Sequence, residues 1–528
     1  MAGLILAKLS PYAVPPLPLL ASSIFVLAAS TLLGARWPAI WSTLLTLGLC
    51  AAGIAHYELR RERLPEWDEL PTREARMTVR ITRVFHTTDP EHFSGLGTVM
   101  ASDPHVRDLL RQKVAVSVAL EKRDVRPVRG SLVELVGVLE ALPRRPPPND
   151  PFLAYLIDGG VNFRLGRGYM VSTVEPLGRY AQWREGTRAW MSHQLGLGLE
   201  RHPSVVAAFR GMLLGERQGL TARQEDLYLR TGAMHLFSIS GLHVGAIAAG
   251  IIGLLRAMRL PPLGTLIASG LVLLAYVDIT GLLPSAVRAW LMVMCFHAAV
   301  VFRAPGNSVS ALGTSALIVL LIDPMQLFGA GFQMSYGIVA ALLLYGVPMQ
   351  QRGLFELRRW RPELILMPRR WQRLTRWGLK TVLTMLAINV AATVVGTAAG
   401  VGFFEVLSPI GLLANLLLIP LATITLFAGL LSIVAALGSA APLVLLFNHA
   451  AGVVLLLMQK ILEVLVRIPG ASFPAEFRTP WLASTTLAVL VAVMGWGYAR
   501  RWVGYGGFWL PPAVLGGFLL FGIRWVGN

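Results

Sequence analysis

The sequence predicts a polytopic α-helical membrane protein with about 10–12 hydrophobic segments and an inserted all-β domain. Composition is the first reason, because 55% of the 528 residues are hydrophobic and 14% are charged, and the mean hydropathy is +0.60, unlike a soluble chain. The second is a series of apolar runs long enough to cross about 30 Å of hydrocarbon. The third is an interruption after residue 57, where charge rises and alternation of period two begins.

The apolar runs place the membrane-spanning parts at both ends of the chain. The first two form an N-terminal hairpin within residues 1–57, and the others follow residue 233. The run at 404–438 is too long for one simple span, and Pro409 and Pro420 favour a break within it. The predicted segments lie near residues 16–35, 38–57, 235–255, 263–283, 285–302, 308–322, 326–347, 380–402, 404–438, 441–467, 481–499 and 507–525.

Residues 58–180 predict a small β-barrel. In the run Val114–Leu120, every second residue is a large aliphatic, as in a strand with one buried face. The next stretch, 181–232, alternates apolar and charged residues at helical spacing, which favours amphipathic helices lying in the membrane interface. The four strands that alternation predicts are Met77–Phe85, Val114–Lys122, Leu132–Leu139 and Gly168–Val174.

Charge predicts the orientation of the chain. The formal net charge is +18, and Arg256, Arg259 and Arg303 occupy alternate loops, with a dense basic stretch at 349–380. Short loops rich in Lys and Arg stay in the cytoplasm. Five predicted segments lie between residue 233 and the basic stretch at 349–380. Because an odd number of crossings separates the two, we expect the β domain to lie outside the cytoplasm. The same Arg residues also suit an anionic partner, since guanidinium binds phosphate in a bidentate manner. For the stretch at 349–376, contact with anionic lipid is the competing interpretation.

Polar groups interrupt the segment that opens with His235-Leu-Phe-Ser-Ile-Ser-Gly-Leu-His243. On one continuous helix its two histidines would point about 80° apart, and no third ligand is near, so we expect no metal site. Ser238 and Ser240 could instead bond to backbone carbonyls, and Gly241 could serve close packing of helices.

Arg288 lies five residues into another apolar segment, where a charge is costly and usually functional. Neutral or acidic polar residues also occur in the apolar segments or at their ends. They could line a polar path, or they could only form hydrogen bonds between helices. Those residues are Asp323, Gln333, Ser335, Asn389 and Asn415.

Four blocks of sequence resemble, in order, the competence domain of the ComEC family, the inner-membrane channels for single-stranded DNA in natural transformation. The first is the segment 235–245 described above. A further block, Pro151-Phe-Leu-Ala-Tyr-Leu-Ile-Asp-Gly-Gly-Val161, is similar to the close of that family's OB-like domain. The other three blocks are Pro284-Ser-Ala-Val-Arg-Ala289, the run 323–335 from Asp323 to Ser335, and the run 408–420 from Ser408 to Pro420.

The resemblance implies a channel domain at 233–528 in the cytoplasmic (inner) membrane, with an extracytoplasmic OB-like domain that receives DNA. Implied partners are single-stranded DNA, an extracytoplasmic DNA receptor, membrane lipid, and a cytosolic helicase or strand-binding proteins. The pore-lining candidates are His235, Ser238, Ser240, Gly241, His243, Arg288, Asp323, Gln333, Ser335, Asn389 and Asn415. The DNA-binding candidates in the barrel are Arg80, Arg83, Lys122, Arg123, Arg126 and Arg129.

We expect a short form of the family, without the C-terminal metallo-β-lactamase-like domain, because no His-x-His-x-Asp-His run occurs. No Gly-Lys dipeptide occurs either, so a phosphate-binding loop for ATP is excluded and a separate motor is implied. We therefore expect no enzyme activity and no cofactor. Two rivals stay open: a secondary transporter for a small anionic solute, and an intramembrane enzyme that uses His and Ser near 235–243.

Overall fold

The structure is a computed structural model that divides into two compact units. The first unit holds residues 1–181 and 317–329, and the second holds 182–316 and 330–528. The residues that the structure describes are 1–10, 14–33, 37–61, 70–85, 87, 89, 91–121, 126–143, 150–175, 177–216, 219–237, 239–303, 307–360, 370–479, 481–502 and 506–525. The first unit contains α1 (Ala2–Leu9), α2 (Pro16–Leu33), α3 (Pro38–Arg61), β1 (Arg73–Val84), β2 (His92–Ser102), β3 (Lys113–Ala119), β4 (Leu132–Ala141), α4 (Pro151–Asp158) and β5 (Phe163–Glu175).

The five strands form a closed barrel in the order β1-β2-β3-β5-β4. β1 pairs antiparallel with both β2 and β4, which closes the ring, and β3 pairs parallel with β5. This is the strand pairing of an OB-like barrel. The predicted strands correspond to β1, β3, β4 and β5, but β2 was not predicted, and the predicted strand 168–174 begins five residues after the start of β5 and ends one residue before its end.

The barrel has its own apolar core, and alternation along the strands builds it. In β4 the residues that face inward are every second one, with Val133 and Leu135 fully enclosed. Phe93 of β2 and Phe163 of β5 fill the centre. The barrel thus has a hydrophobic core of its own, as a separate domain requires.

The second unit is a bundle of helices that form because their sequences are apolar over helical lengths. A three-stranded sheet in the order β6-β7-β8 lies among them. The helices and strands of the second unit are α5 (Arg179–Gly196), α6 (Pro203–Leu214), α7 (Ala222–Arg230), α8 (Gly241–Ala257), α9 (Pro262–Ile279), α10 (Pro284–Val301), α11 (Ser308–Ile322), α12 (Ala330–Ala341), α13 (Val347–Trp360), α14 (Arg370–Phe403), β6 (Val406–Leu407), α15 (Gly411–Leu437), α16 (Ala441–Leu465), β7 (Phe473–Phe477), α17 (Trp481–Ala499), α18 (Leu510–Gly522) and β8 (Ile523–Trp525). The first residues of α5 and the last residues of α11 group with the first unit.

Within the described residues, eight helices are long and apolar enough to cross a membrane, and five further apolar helices are shorter. The chain is therefore a polytopic helical membrane protein with an inserted β domain, as predicted. The long run 404–438 is broken, but not at Pro420: the chain is extended at Val406–Leu407, and α15 continues from Gly411 through Pro420 to Leu437.

The stretch 181–232 contains three helices, of which α6 is enclosed by the bundle. Residues 205–209 and 211–214 of α6 are all buried, and α6 packs against α15 and α16. At Gly429 of α15 an added Cβ would lie 2.5 Å from Leu213, so the two helices are in close contact there. A position in the membrane interface stays a prediction for α5 and α7, whereas α6 belongs to the core of the second unit.

Candidate functional site

The segment of His235 to His243 is not one helix, contrary to the prediction. Met234–Phe237 forms a single 3-10 turn, and α8 begins only at Gly241. The turn follows Gly232, whose positive φ of 69° reverses the chain after α7. The exposed ring of His235 donates from Nδ1 to the carbonyl of Gly232 at 3.0 Å. Ser238 lies outside the described residues.

Ser240 and His243 together open α8. The backbone N–H of Ser240 donates to Nδ1 of His243 at 3.1 Å, and its hydroxyl lies 2.7 Å from the same nitrogen. A backbone N–H can only donate, so Nδ1 accepts and a neutral ring carries its proton on Nε2. The His243 side chain is only 2% exposed. Ser240 and His243 thus form a capping box that satisfies backbone N–H groups at the start of α8. A helix that ran continuously from His235 would have no start, and hence no cap, at this position.

The start of α10 lies against this turn. The hydroxyl of Ser285 donates to the carbonyl of Ile239 at 3.0 Å. An added Cβ on Gly241 would meet Cβ of Ala289 at 3.9 Å, so a small residue at 289 lets α10 come within contact of α8. Two of the sequence blocks singled out above are therefore neighbours in space.

Arg288 is buried in the bundle with 5% of its surface exposed. Its Nη2 donates to the carbonyl of Gly331 at 2.8 Å, which links α10 to the first turn of α12. A fixed positive charge thus faces α12 inside a helical bundle. Burying such a charge is costly because it loses its hydration, so a buried arginine in a membrane-spanning segment is a candidate functional residue.

The other polar candidates divide into separate positions. Gln333 accepts a hydrogen bond from Ser484 of α17 at 3.0 Å. Because residues two apart on a helix point about 200° away from each other, Gln333 and Gly331 lie on different faces of α12. Ser335 is half-buried. Asp323, in the first unit, accepts from the backbone N–H of Met325 at 3.2 Å and caps a local 3-10 turn.

Asn389 of α14 contacts the start of α15, and Asn415 lies three residues after the contacted position. The buried amide of Asn389 donates to the carbonyl of Leu412 at 3.0 Å. The side-chain oxygens of both asparagines are buried without a hydrogen-bond partner among the described residues. Sequence reasoning missed Thr393, whose buried hydroxyl also lacks a partner among them. It follows Asn389 by four residues, a spacing that places both on one face of α14.

The start of α15 returns to the turn before His235. The hydroxyl of Ser408 donates to the carbonyl of Arg230 at 2.8 Å. An added Cβ on Gly411 would lie 3.6 Å from the carbonyl oxygen of Thr231. The segments around 230–241, 284–289, 330–336 and 408–415 therefore meet within the second unit.

In the barrel, Arg83 is part of an aromatic cluster. The sequence indicated Arg83 as a DNA-binding candidate, but not the aromatic residues that surround it. We define the barrel cluster as Arg83, Phe85, Phe152 and Tyr155. The guanidinium of Arg83 donates to the hydroxyl of Tyr155 at 2.5 Å and lies 5.6 Å from the ring of Phe85. Phe152 and Tyr155 stack at 6.2 Å between centroids, and they are 49% and 40% exposed. Their i, i+3 spacing in α4 was the available signal.

The position of the barrel cluster matches the ligand side of OB-like barrels. Phe85 directly follows β1, in the β1–β2 connection, and α4 lies in the β4–β5 connection; these two loops carry ligand contacts in OB folds. Arg126 joins the same side, since its Nη2 donates to Thr87 at 2.7 Å. Arg80 is exposed on β1, and Arg129 is half-buried. Lys122 and Arg123 lie outside the described residues.

No group of three or more potential metal-binding His, Cys, Asp or Glu side chains occurs in the part of the chain that the structure describes. Near these segments the bundle offers instead the buried guanidinium of Arg288, with neutral amides and hydroxyls. These groups can bind an ion or a polar chain.

Comparisons with known proteins agree on one family. A sequence model described as "Competence protein" matches residues 212–502. The chain is 32% identical over 149 residues to ComE operon protein 3 of Bacillus subtilis (strain 168), covering 28% of this chain and 19% of that protein. It is 32% identical over 173 residues to competence protein ComA of Neisseria gonorrhoeae, covering 31% and 24%.

A third relative is the uncharacterized protein YcaI of Escherichia coli (strain K12), 25% identical over 292 residues, covering 51% of this chain and 34% of that protein. The matches thus span between about a fifth and a third of the lengths of these relatives. No solved structure matches. Because the family model covers more than half of the 528 residues, this chain belongs to the competence protein family.

Proposed function

We propose that the helical bundle conducts single-stranded DNA across the cytoplasmic membrane during natural transformation. The observation that carries this proposal is the buried guanidinium of Arg288, held where the sequence blocks of the family meet. A single fixed cation attracts phosphate, and the neutral groups around it offer only transient bonds. Such a combination favours passage, because a ring of charges would hold a polyanion in place.

The path we propose follows the inner side of α8, α10 and the first turn of α12. Arg288 and His243, both buried polar groups, are the side chains that would line it. Gln333, Asn389 and Asn415 stay pore-lining candidates, although Gln333 also bonds to Ser484 of α17 and Asn389 to Leu412 of α15, as groups that join helices do. Support for the path is the convergence of these blocks in space, since chemistry that needs several groups must bring them together.

The barrel is proposed to receive the strand outside the cytoplasm. Its cluster combines a guanidinium with two exposed rings, as sequence-independent sites for single strands do. Stacking contributes about 1–3 kcal/mol per base, and phosphate contacts make the binding dependent on salt. An extracytoplasmic DNA receptor would deliver the strand to this side.

Energy for transport must come from elsewhere. A strand entering a cytoplasm at negative potential costs about 2.3 kcal/mol per phosphate for each 100 mV crossed. The sequence has no phosphate-binding loop of the Walker type. We therefore propose that a cytosolic helicase, or trapping by strand-binding proteins, pulls the DNA, and that this chain acts as a channel without catalysis.

The test is deletion of the gene in a transformable host, with DNA measured separately outside the cytoplasmic membrane and in the cytosol. We expect DNA to accumulate outside and to disappear from the cytosol, with recovery when the gene is restored. Normal arrival in the cytosol would refute the proposal. If uptake of labelled nucleotides is lost while DNA entry persists, the chain is instead a transporter for small anions, the class that buried Arg288 also fits.

A further inference from the structure

Arg210 of α6 carries a charge within a helix that is otherwise apolar and buried. From residue 205 to residue 214, every residue except Arg210 is buried, whereas Arg210 keeps part of its surface exposed. A charged side chain in such a helix is costly and usually functional. Its exposed part therefore indicates a space beside α6 that a polar ligand can reach.

Printed contacts hold the guanidinium of Arg210 against α5. Its Nε donates to the backbone carbonyl of Ser192 at 2.9 Å. An added Cβ on Gly196 would lie 2.9 Å from Nη2, so the guanidinium occupies the place that a side chain at residue 196 would take. Ser192 and Gly196 are four residues apart and share one face of α5. One of the five N–H donors of Arg210 is thus used, and the two Nη groups extend past it.

The carboxylate at the end of α6 is engaged by other side chains. Glu216 accepts from Nε of Arg188 at 3.1 Å and from the hydroxyl of Ser192 at 3.0 Å. Among the residues that the structure describes, the Nη groups of Arg210 have no hydrogen-bond or ion-pair partner. We define the α6 site as Arg188, Ser192, Arg210 and Glu216; its two arginines and one glutamate leave a net positive charge.

The neighbouring arginines of α5 show that this state is not general. Arg184 pairs with Glu185 at 2.9 Å, and Arg188 pairs with Glu216 at 3.1 Å. Their charges are compensated within the protein, as expected of groups that only stabilise the packing of helices. Arg210 differs because its charge remains available to an anion from outside the chain.

The α6 site borders on the segments that open α8 and α10. An added Cβ on Gly215, directly after α6, would lie 2.9 Å from Leu283 and 3.3 Å from Ile239. An added Cβ on Gly281 would lie 3.7 Å from Nη1 of Arg188. The site therefore adjoins the start of the path proposed above without being part of it.

We propose that Arg210 binds a backbone phosphate of the incoming single strand, beside the entrance to that path; this inference rests on the proposed function. The two Nη groups of a guanidinium match two phosphate oxygens in a bidentate manner. The headgroup of a phospholipid offers the same phosphodiester chemistry. The strand is favoured because α6 is enclosed by α15 and α16, whereas a lipid needs a surface that also takes its two acyl chains.

The test is binding of a thymidine oligonucleotide to the full chain in nanodiscs of zwitterionic lipid, at several salt concentrations. We expect Arg210→Gln to weaken binding about tenfold at low salt, as the loss of one charged hydrogen-bonded contact does. The slope of log affinity against log salt should also become shallower by about 0.7, the value for one phosphate of a single strand. Unchanged affinity and slope would overturn the proposal.

Two controls separate a phosphate contact from a general effect. Arg201→Gln removes an equal charge from an exposed position in the link between α5 and α6, and it should change the affinity less than twofold. An oligonucleotide whose phosphates are replaced by uncharged methylphosphonates should bind equally to the unmodified chain and to Arg210→Gln. A loss of binding with this uncharged strand would show that Arg210 supports the fold and contacts no phosphate.

Arg210→Lys covers the case in which the glutamine variant fails to fold. Lysine keeps the charge but not the fork, so the salt slope should stay as in the unmodified chain while the affinity falls in part. A slope as shallow as expected for Arg210→Gln would reject the phosphate contact.

The outcomes also separate the strand from lipid, and this inference from the proposed function. If Arg210→Gln leaves oligonucleotide binding unchanged but reduces the anionic lipid that co-purifies with the protein, the residue binds a headgroup and the proposal fails. If deletion of the gene abolishes DNA entry while Arg210→Gln binds normally, only this inference fails. Normal DNA entry after the deletion would refute the channel itself.

Discussion

Arg288 is the residue on which transport should depend most. We expect Arg288→Ala to reduce transformation to background while the protein still folds and inserts, because the variant removes the one proposed phosphate-attracting charge on the path. Arg288→Lys keeps the charge and should retain part of the activity, with the hydrogen bond to Gly331 weakened. Transformation frequency and the amount of protein in the membrane are the two measurements.

The control for this prediction is Arg259→Ala, which removes an equal charge from an exposed position after α8. It should leave transformation near its normal level. If Arg288→Ala transforms as well as the control, Arg288 has no part in conduction and its role is the link between α10 and α12.

In the barrel, Glu134 should make stability depend on pH. The hydrogen bond from Arg76, at 2.8 Å, lowers the pKa of the Glu134 carboxyl, and the same pair raises the pKa of Arg76. A carboxyl whose pKa is lower in the folded state contributes stability above its unfolded pKa and loses it as pH falls through the folded value. The hydrogen-exchange protection factors of β1 and β4 in the full chain, which correct for the intrinsic dependence of exchange on pH, should therefore fall on acidification, and Glu134→Gln should flatten that response.

Glu74→Gln is the matched control for Glu134→Gln. Glu74 is an exposed carboxyl on β1, without an ion-pair partner among the described residues. Its replacement should leave the acid response of the barrel intact. An identical response in both variants would show that the pair with Arg76 does not stabilise the barrel.

At this scale the sequence predicted the buried charge but misjudged the histidines. Arg288 could be recognised because an arginine within an apolar run is rare. His235 and His243 were assigned to one helix because the apolar residues run through both, whereas Ser240 and Gly241 mark a helix start. The fixed tautomer of His243 could not be predicted, since it depends on a reciprocal bond with Ser240.

Among the elements, β2 was missed because glycine hides its alternation. Its inward positions are Phe93, Gly95, Gly97 and Val99, so only two of the four are large apolar residues. The structure explains the glycines: an added Cβ would lie 2.6 Å from the carbonyl oxygen of Arg83 at Gly95, and 2.2 Å from Val79 at Gly97. Close approach of strands in a small barrel thus removes the pattern by which a strand is recognised.

The two loops that carry the barrel cluster should bind single-stranded DNA by stacking. Tyr155→Ala removes an exposed ring and should weaken binding of a thymidine oligonucleotide to the full chain by about tenfold, in line with one lost stacking contact. The affinity should also fall with rising salt, because phosphate contacts release counterions.

Tyr169→Ala serves as the comparison for Tyr155→Ala. Tyr169 is 52% exposed but lies on β5, outside the barrel cluster. We expect its replacement to change affinity little. Equal losses in both variants, or affinity that does not change with salt, would dismiss the cluster as a DNA site.

For the whole molecule, the distribution of loop charges predicts that the barrel lies outside the cytoplasm. A single cysteine introduced by Arg164→Cys, at an exposed position of β5, should react in intact cells with a membrane-impermeant maleimide. Cys50 and Cys295 would first be replaced by serine. Labelling only after the cells are opened would place the barrel in the cytoplasm and invert the proposed direction of transport.

The membrane architecture could be predicted as a whole, because hydrophobic length alone decides it. The parallel pairing of β3 with β5 could not, since it depends on which strands close the ring. The division of the chain was equally hidden: no local pattern shows that residues 317–329 group with the barrel and the N-terminal helices.

That return of the chain has a consequence during synthesis. His56 lies 3.2 Å from the carbonyl oxygen of Leu320, and Phe328 contacts both Tyr57 and Lys8. A ribosome has therefore made six helices of the second unit, α5 to α10, before it supplies the piece that completes the first. The N-terminal helices can complete their packing only after residues 317–329 have been synthesised. Folding of this protein therefore cannot proceed strictly from its N-terminus to its C-terminus.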